Sequence, residues 1–390
     1  MNIYFDNAST TKPSPSVVED ICKSMQEDWY NPSSQYEPAR LVALKLDKAR
    51  KQIADYINCN PDEIYFTSGA TEANNWAIYN NIVQNDSFTN LVIDTIEHPS
   101  VFNQYKRIRQ ENLVHTISIP LYHLSIDKIE LILKEFMKAH KYSDTLLVSV
   151  SLVNNETGII NNCIEEIAQI THDLNGYCHV DATQALTHIP IDVDKLGIDY
   201  LSSSFHKYGG VKGIGFLYCR RGCPLSPMLI GGHQENNKRA GTENTPYIIA
   251  MGNQIERLSK TEKQRWNKMN ELSEYLQSSV FSTYDSHHCP IKRNGTDYEL
   301  SPYIHSYTIE GIKATDLLTL LALDGIYCSA GSACSSGENK PSRILKNLDL
   351  SEDEAKSTIR ISLCENNTFE EIDYFCKRLT YHIINLQHSK

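Results

Sequence analysis

The stretch Tyr200-Leu201-Ser202-Ser203-Ser204-Phe205-His206-Lys207-Tyr208-Gly209-Gly210-Val211-Lys212-Gly213-Ile214-Gly215 decides how the rest of this chain is read. Tyr200–Ser203 has the pattern of a short buried strand, and Ile214–Cys219 the pattern of a second. Between them come Ser204, His206 and Lys207, followed by a glycine-rich turn. A strand end holds a lysine amine rigidly. That suits Schiff-base chemistry, with Ser204 and His206 close enough to hold a phosphate. The glycines let backbone approach without Cβ clashes. Taken alone, the segment also reads as an exposed loop lysine.

Working outward, strand patterns recur at Ile64–Thr67, Asn90–Thr95, Thr145–Val153 and Tyr177–Asp181. Helical patterns such as Glu72–Val83 and Cys163–Leu174 lie between them. Strands alternating with helices predict an α/β fold, with a mostly parallel sheet covered on both faces. From Ile249 to about Val280 the pattern is one long charged helix, placed to link two domains. The remainder reads as a smaller α+β unit. Its strands are His305–Ile309, Tyr327–Ser329 and Thr358–Leu363, and its helices Ala314–Leu323 and Thr368–Leu386. Ser282–Asp297, with His287, His288 and Cys289, reads as a surface loop in preference to a metal site.

Five further segments carry chemistry. Tyr177-Cys178-His179-Val180-Asp181 ends a buried strand in an aspartate, with Gln184 close behind. Pyridoxal phosphate needs a carboxylate at its ring nitrogen, to keep the ring protonated as an electron sink. Asp181 suits that task and Gln184 the ring hydroxyl; an N-cap is the other reading of Asp181. Phe66-Thr67-Ser68-Gly69-Ala70-Thr71-Glu72-Ala73-Asn74 turns from strand to helix, where free N–H groups and the Thr71 hydroxyl would hold an anion. It lacks the Walker lysine spacing. His98 follows the strand ending near Ile96, at the edge where parallel sheets bind ligands. Cys334 lies among small residues in Ala330-Gly331-Ser332-Ala333-Cys334-Ser335-Ser336-Gly337, a setting for an exposed nucleophilic thiol. Cys328 falls inside a strand pattern and reads as inert. Arg360 interrupts the apolar strand at Thr358–Leu363, and either a substrate carboxylate or an internal salt bridge would pair with it.

Together these pieces resemble the NifS/IscS family of cysteine desulfurases, pyridoxal-phosphate enzymes of the class V aminotransferase type. The similarity also takes in Tyr4-Phe5-Asp6-Asn7-Ala8-Ser9-Thr10-Thr11, Asn31-Pro32-Ser33-Ser34, Asn154-Asn155-Glu156-Thr157-Gly158 and Arg239-Ala240-Gly241-Thr242-Glu243-Asn244. It implies the aspartate-aminotransferase-like fold type I. Residues 16–262 would form the large cofactor-binding domain. Residues 1–15 and 263–390 would form the small domain, with the cysteine loop at about 330–342. By the resemblance Lys207 is the Schiff-base lysine and Asp181 pairs with the ring nitrogen. Gln184 and Asn155 lie near the ring hydroxyl, and His98 stacks over the ring. Thr71, Ser204 and His206 bind phosphate, with Ala70 contributing backbone. Thr242 reaches the phosphate of the partner subunit in a homodimer. Arg360 holds the carboxylate of L-cysteine, and Cys334 receives its sulfur for an acceptor protein docking near that loop. The acceptor's pathway, whether iron–sulfur cluster assembly, tRNA thiolation or another sulfur modification, is not named by these residues. The chain departs from the family pattern at Gln35-Tyr36, Phe205, Val211 and Cys364-Glu365-Asn366. A selenocysteine lyase or another class V enzyme is the nearest rival reading, and a non-catalytic sulfur carrier is a rival of another class. Cys219 and Cys223 have no second matched pair to suggest zinc or an iron–sulfur cluster.

Composition sets the outer limits. The 390 residues allow two or three domains, and 41% hydrophobic with 22% charged residues is ordinary for a globular chain. A net charge of −11 argues against a general nucleic-acid-binding face. Eleven cysteines are too few for a disulfide scaffold and predict mostly buried thiols in a reducing compartment. No basic, apolar leader opens the sequence and no uncharged run is long enough to span a membrane, so the expected location is cytoplasmic.

Overall fold

The computed structural model describes residues 2–85, 88–140, 145–287, 291–331 and 341–388. In chain order its strands are β1 (Ile3–Tyr4), β2 (Ile64–Thr67), β3 (Asn90–Asp94), β4 (His115–Ile119), β5 (Leu146–Ser151), β6 (Gly176–Asp181) and β7 (Tyr200–Ser204). There follow β8 (Gly215–Cys219), β9 (Ile291–Arg293), β10 (Ile304–Ile309), β11 (Ile326–Tyr327), β12 (Ser329–Ala330) and β13 (Thr358–Ser362). The described chain divides into two compact units. One comprises Lys12–Leu152 and Asn161–Thr261; the other comprises the N-terminal segment through Thr11, Val153–Ile160 and the chain from Glu262 onward.

The larger unit is built on a seven-stranded sheet of order β2-β8-β7-β6-β5-β3-β4, in which only β8 runs antiparallel to its neighbours. Strands β3, β5, β6 and β7 are buried along almost their whole length, as a sheet covered on both faces requires. β4 escaped the sequence reading because it is an edge strand whose first residue, His115, is exposed, so it shows no apolar run. One side of the sheet packs a core of Trp76, Phe88, Leu91, Ile93, Tyr105 and Tyr200. The Trp76 indole donates to the Ser226 carbonyl at 2.7 Å, which satisfies its buried N–H. Helices Pro15–Glu27 and Glu37–Ile57 pack on Thr245–Ser259. Gly252 permits that approach, since a Cβ there would lie 2.6 Å from the Ala49 Cα.

The smaller unit holds an antiparallel sheet of order β12-β13-β10-β9 and the parallel pair β1-β11. Helix Ala314–Leu323 has the bounds read from sequence, and the C-terminal helix runs Phe369–His388.

Four local expectations are corrected. The helix expected at Glu72–Val83 starts at Ala70 and passes through a π-helical turn at Trp76–Asn80. The single helix expected over Ile249–Val280 is two, Thr245–Ser259 and Glu262–His287. At the break the Ser259 hydroxyl donates to the Glu256 carbonyl and that of Thr261 to Leu258, so side chains compete for the backbone acceptors. Tyr327–Ser329 is not one strand: the chain leaves β11, paired with β1, and enters β12, paired with β13, at Cys328. Ser282–Asp297 is not one loop, because the helix continues to His287 and β9 pairs with β10. His288 and Cys289 lie outside the described residues.

Arg50 and Glu235 lock the larger unit around β2. Arg50 Nη2 and Nη1 donate to the two Glu235 oxygens at 2.7 and 2.9 Å, and the Phe66 N–H donates to Oε2 at 2.9 Å. Glu235→Leu would leave the Arg50 guanidinium without its carboxylate in a mostly buried site. The expected loss is about 3 kcal/mol, read as a lower urea midpoint with an unchanged slope.

Candidate active site

The parallel strands deliver chemistry-bearing residues to one edge of the sheet. In register, Ser151 on β5 faces Asp181 on β6, and Asp181 faces Ser202 on β7. Beyond β7 the chain makes one 3-10 turn, Phe205–Lys207, which presents a half-buried Lys207. Beyond β3 come Glu97 and His98. The turn from β2 into the helix starting at Ala70 closes the edge, with Thr71 exposed at the helix start. In an open α/β sheet this carboxyl edge is where ligands bind.

Asp181 is buried, and two hydrogen bonds hold it. The Thr183 N–H donates to Oδ1 at 3.0 Å and Asn74 Nδ2 donates to Oδ2 at 2.9 Å. The Thr183 bond is the local turn expected of an aspartate at a strand end; the Asn74 bond is a tertiary one. Asn74 Nδ2 also donates to Ser100 Oγ at 2.8 Å, and Ser100 Oγ lies 2.8 Å from His98 Nδ1. A chain of side chains therefore runs Asp181–Asn74–Ser100–His98. The Ser100 N–H donates to His98 Nδ1 at 3.1 Å, so that nitrogen is an acceptor and a neutral ring carries its proton on Nε2. His98 thus caps the helix Pro99–Gln110 with its own side chain. The sequence reading assigned no role to Asn74. Its one signal was spacing: it sits four residues after Ala70, one helical turn on the same face.

A second polar layer lies behind Asp181. His179, two residues earlier on β6, bridges Ser149 Oγ on β5 at 2.8 Å and Ser202 Oγ on β7 at 3.0 Å. Burial pushes its imidazole down to about 4, so the ring is neutral at pH 7. Glu97 accepts from Ser151 Oγ at 2.7 Å. Burial first, then the charges of Asp94 and Asp181, push it well above the usual carboxylate range. Burial also lowers His206 to about 4, helped by Lys207 and Lys212, which makes that imidazole a neutral group.

The turn at Gly69 forms a cradle. Gly69 has φ +151°, and a Cβ added there would lie 3.3 Å from Ser204 Oγ. Arg239 pairs with Glu72 at 2.9 Å, tying the loop that carries the exposed Thr242 to the first helical turn. Phe205 fills the space over Gly210, where an added Cβ would fall 2.1 Å from its ring. Gln184 is buried just beyond Asp181. Asn74 Oδ1 and Thr183 Oγ1 are buried with no hydrogen-bond partner among the described residues. A bound group with polar edges would satisfy them, so the larger unit fits a phosphorylated aromatic cofactor.

In the smaller unit Arg360 is almost wholly buried. Its Nη2 meets Asp6 Oδ1 at 2.8 Å and Ser9 Oγ at 2.6 Å; its Nη1 donates to the Asn155 carbonyl at 2.8 Å. The internal salt bridge is therefore present. Arg360 Nε is buried and has no partner among the described residues. Cys334 lies outside the described residues. The other cysteines singled out are poor nucleophiles: burial, with help from Asp6, pushes Cys328 up to about 12, and burial pushes Cys364 up to about 11. The departure at Glu365 has structural use, since its carboxylate pairs with Arg265 at 3.0 Å.

Asp94 offers a test of the buried edge. Burial raises its carboxyl from 3.8 to about 7. The proton is bound more tightly in the folded chain, so this group's contribution is full below about pH 4 and is lost as pH rises through about 7. The melting-temperature difference, Asp94→Asn minus wild type, is expected to grow from pH 5 to pH 8. A difference that shrinks over that range would contradict the assignment.

Comparison with known proteins agrees with this geometry. The family Aminotransferase class-V matches residues 3–375. A relative named cysteine desulfurase IscS, from Methanosarcina thermophila, is 36% identical over 373 residues, covering 95% of this chain and 89% of its own. Among solved structures, a NifS-like protein superposes with a TM-score of 0.87 at 30% identity, covering 99% of this chain and 100% of its own. A second, described as SspA in complex with cysteine, gives a TM-score of 0.75 at 29% identity and covers 94% of this chain and 100% of its own. The sheet order, the strand-end residues and these likenesses lead to one assignment: the chain belongs to the class V aminotransferase family and, within it, to the NifS/IscS-like cysteine desulfurases.

Proposed function

We propose that this chain is a pyridoxal-phosphate-dependent cysteine desulfurase that converts L-cysteine to L-alanine and leaves the sulfur as a persulfide on Cys334. The observation that carries the reading is Asp181, buried at the end of β6 one strand from the Lys207 turn and linked through Asn74 and Ser100 to His98. A carboxylate has about four acceptor sites. Two are used within the described residues, which leaves room for a ring N–H.

Lys207 would anchor the cofactor aldehyde, and Gln184 and Asn155 would serve the ring hydroxyl. Ala70, Thr71, Ser204 and His206 would hold the phosphate, with Thr242 serving the partner subunit of a homodimer. When bound, the cofactor supplies an electron sink for bond changes at the substrate Cα. Lys207 Nζ takes the Cα proton once substrate has displaced it. His98 Nε2 holds the proton needed by the attacking or leaving group, because Nδ1 is engaged with Ser100. Arg360 offers its Nε–H to the substrate carboxylate; a bidentate hold would require the Ser9 bond to yield. The Cys334 thiolate attacks the substrate sulfur, the C–S bond breaks, and a proton completes alanine. The SspA structure, described with cysteine, supports cysteine as substrate. A sulfur-acceptor protein docking near Cys334 and a cytoplasmic location complete the proposal.

Cys334→Ser should lose cysteine-dependent persulfide and alanine formation by at least about 10²-fold, yet retain the cofactor absorption band. Retained activity would overturn the assignment. The same variant, assayed with selenocysteine, separates the rival lyase reading, which predicts selenide release without the thiol. Lys207→Ala should abolish the band of the lysine-bound cofactor in an absorption scan, and an unchanged band would favour a non-catalytic carrier.

A further inference from the structure

Glu156 is a buried carboxylate that the mechanism above does not use. It lies in Asn154-Asn155-Glu156-Thr157-Gly158, a turn whose shape is held by Asn154. Asn154 Oδ1 accepts from the Glu156 N–H, the Thr157 N–H and the Thr157 hydroxyl, each at 3.0 Å. Gly158 closes the turn at φ +78°, where a Cβ would come within 2.7 Å of the Ile304 carbonyl. This local rigidity aims Glu156 at two other points of the smaller unit.

The first is Ser342, whose hydroxyl donates to Glu156 Oε2 at 2.5 Å while capping the helix Arg343–Asn347 at the Leu345 N–H. The second is Gly331. A Cβ built on Gly331 would lie 2.7 Å from Glu156 Oε2, so a side chain there would push the carboxylate aside. Arg360 reinforces the same place, with Nη1 donating to the Asn155 carbonyl at 2.8 Å and to the Gly331 carbonyl at 3.5 Å. Gly331 and Ser342 are the residues on either side of the stretch that carries Cys334. One carboxylate therefore touches the chain just before that stretch and just after it.

We propose that Glu156 is a positioning residue for sulfur transfer: by holding Ser342 and packing against Gly331, it sets where the Cys334 stretch begins and ends. The inference rests on the desulfurase reading above. It adds that the reach of the thiol is governed by a carboxylate more than 170 residues away in sequence. A displacement of about 1 Å in a reacting group costs on the order of 10²-fold in rate, so loosening these anchors should be felt at the thiol and not at the cofactor.

The test uses the cofactor-loaded full-length protein and three variants. Glu156→Ala removes both contacts, Gly331→Ala pushes on the carboxylate instead of deleting it, and Glu156→Gln keeps an acceptor for Ser342. Two readouts are taken: the spectral response of the bound cofactor to L-cysteine, and the rate of persulfide formation on Cys334. Glu156→Ala and Gly331→Ala are expected to keep the spectral response and its cysteine dependence, and to slow persulfide formation by about tenfold or more. Glu156→Gln is expected to restore most of the rate. If persulfide formation is unchanged in both alanine variants, or if the spectral response falls in step with it, the proposal is overturned. Should Glu156→Ala not fold, Gly331→Ala decides the matter on the same two readouts. A wild-type protein that responds to cysteine but never forms the persulfide would instead refute the desulfurase reading.

Discussion

The larger unit depends on how closely three backbone segments meet at Gly215. A Cβ there would fall 2.3 Å from the Ser203 carbonyl oxygen and 2.8 Å from the Gly69 Cα, so no side chain can be accommodated. This contact joins the end of β7, the start of β8 and the turn after β2. It brings Ser204 to the Gly69 cradle and fixes the point from which Lys207 departs. A larger residue would have to part strands that are hydrogen-bonded in register from Ile64 to Thr67 and from Tyr200 to Ser204. The placement of the lysine is thus tied to the packing of the backbone.

The polar groups gathered at this edge are costly to bury, and the structure shows how that cost is met. His179 is neutral and spans two strands through serine hydroxyls. Glu97 is pushed toward its protonated form and rests on Ser151. Neutral, hydrogen-bonded groups can be buried where isolated charges cannot. The smaller unit solves the same problem differently. Its buried Arg360 is paired with Asp6, which also accepts from Ser9 and Ser329. The strand β13, the N-terminal segment, β12 and the Asn155 turn converge on that one guanidinium. A partner lost there would leave an uncompensated buried charge.

Much of the fold was legible in the sequence because parallel strands buried on both faces are written as apolar runs. The bounds of β2 and of helix Ala314–Leu323 were read as they stand. β4 was missed because an edge strand keeps polar residues. The division of Ile249–Val280 into two helices was missed because no glycine or proline marks it; hydroxyl groups at Ser259 and Thr261 do the work instead. Among candidate site residues, Asp181, Gln184, Ser204, His206 and Lys207 stand out in the sequence because each sits at or just after a strand end. Asn74 and Glu156 do not. Both stand within quoted motifs, but their partners, Asp181 and Ser100 for one and Ser342 for the other, are from 26 to 186 residues away.

By itself the sequence determined the alternation of strand and helix and the set of chemical groups available. Local pattern suffices for these, since burial periodicity and strand-end position are properties of short segments. Only the tertiary structure decided which groups touch. It linked Asp181 to His98 through Asn74 and Ser100, engaged Arg360 with Asp6, and set Glu156 against Gly331 and Ser342. The reason is physical: hydrogen bonds and ion pairs act over about 3 Å, and which side chains come that close is settled by how strands are ordered and how tightly backbones pass.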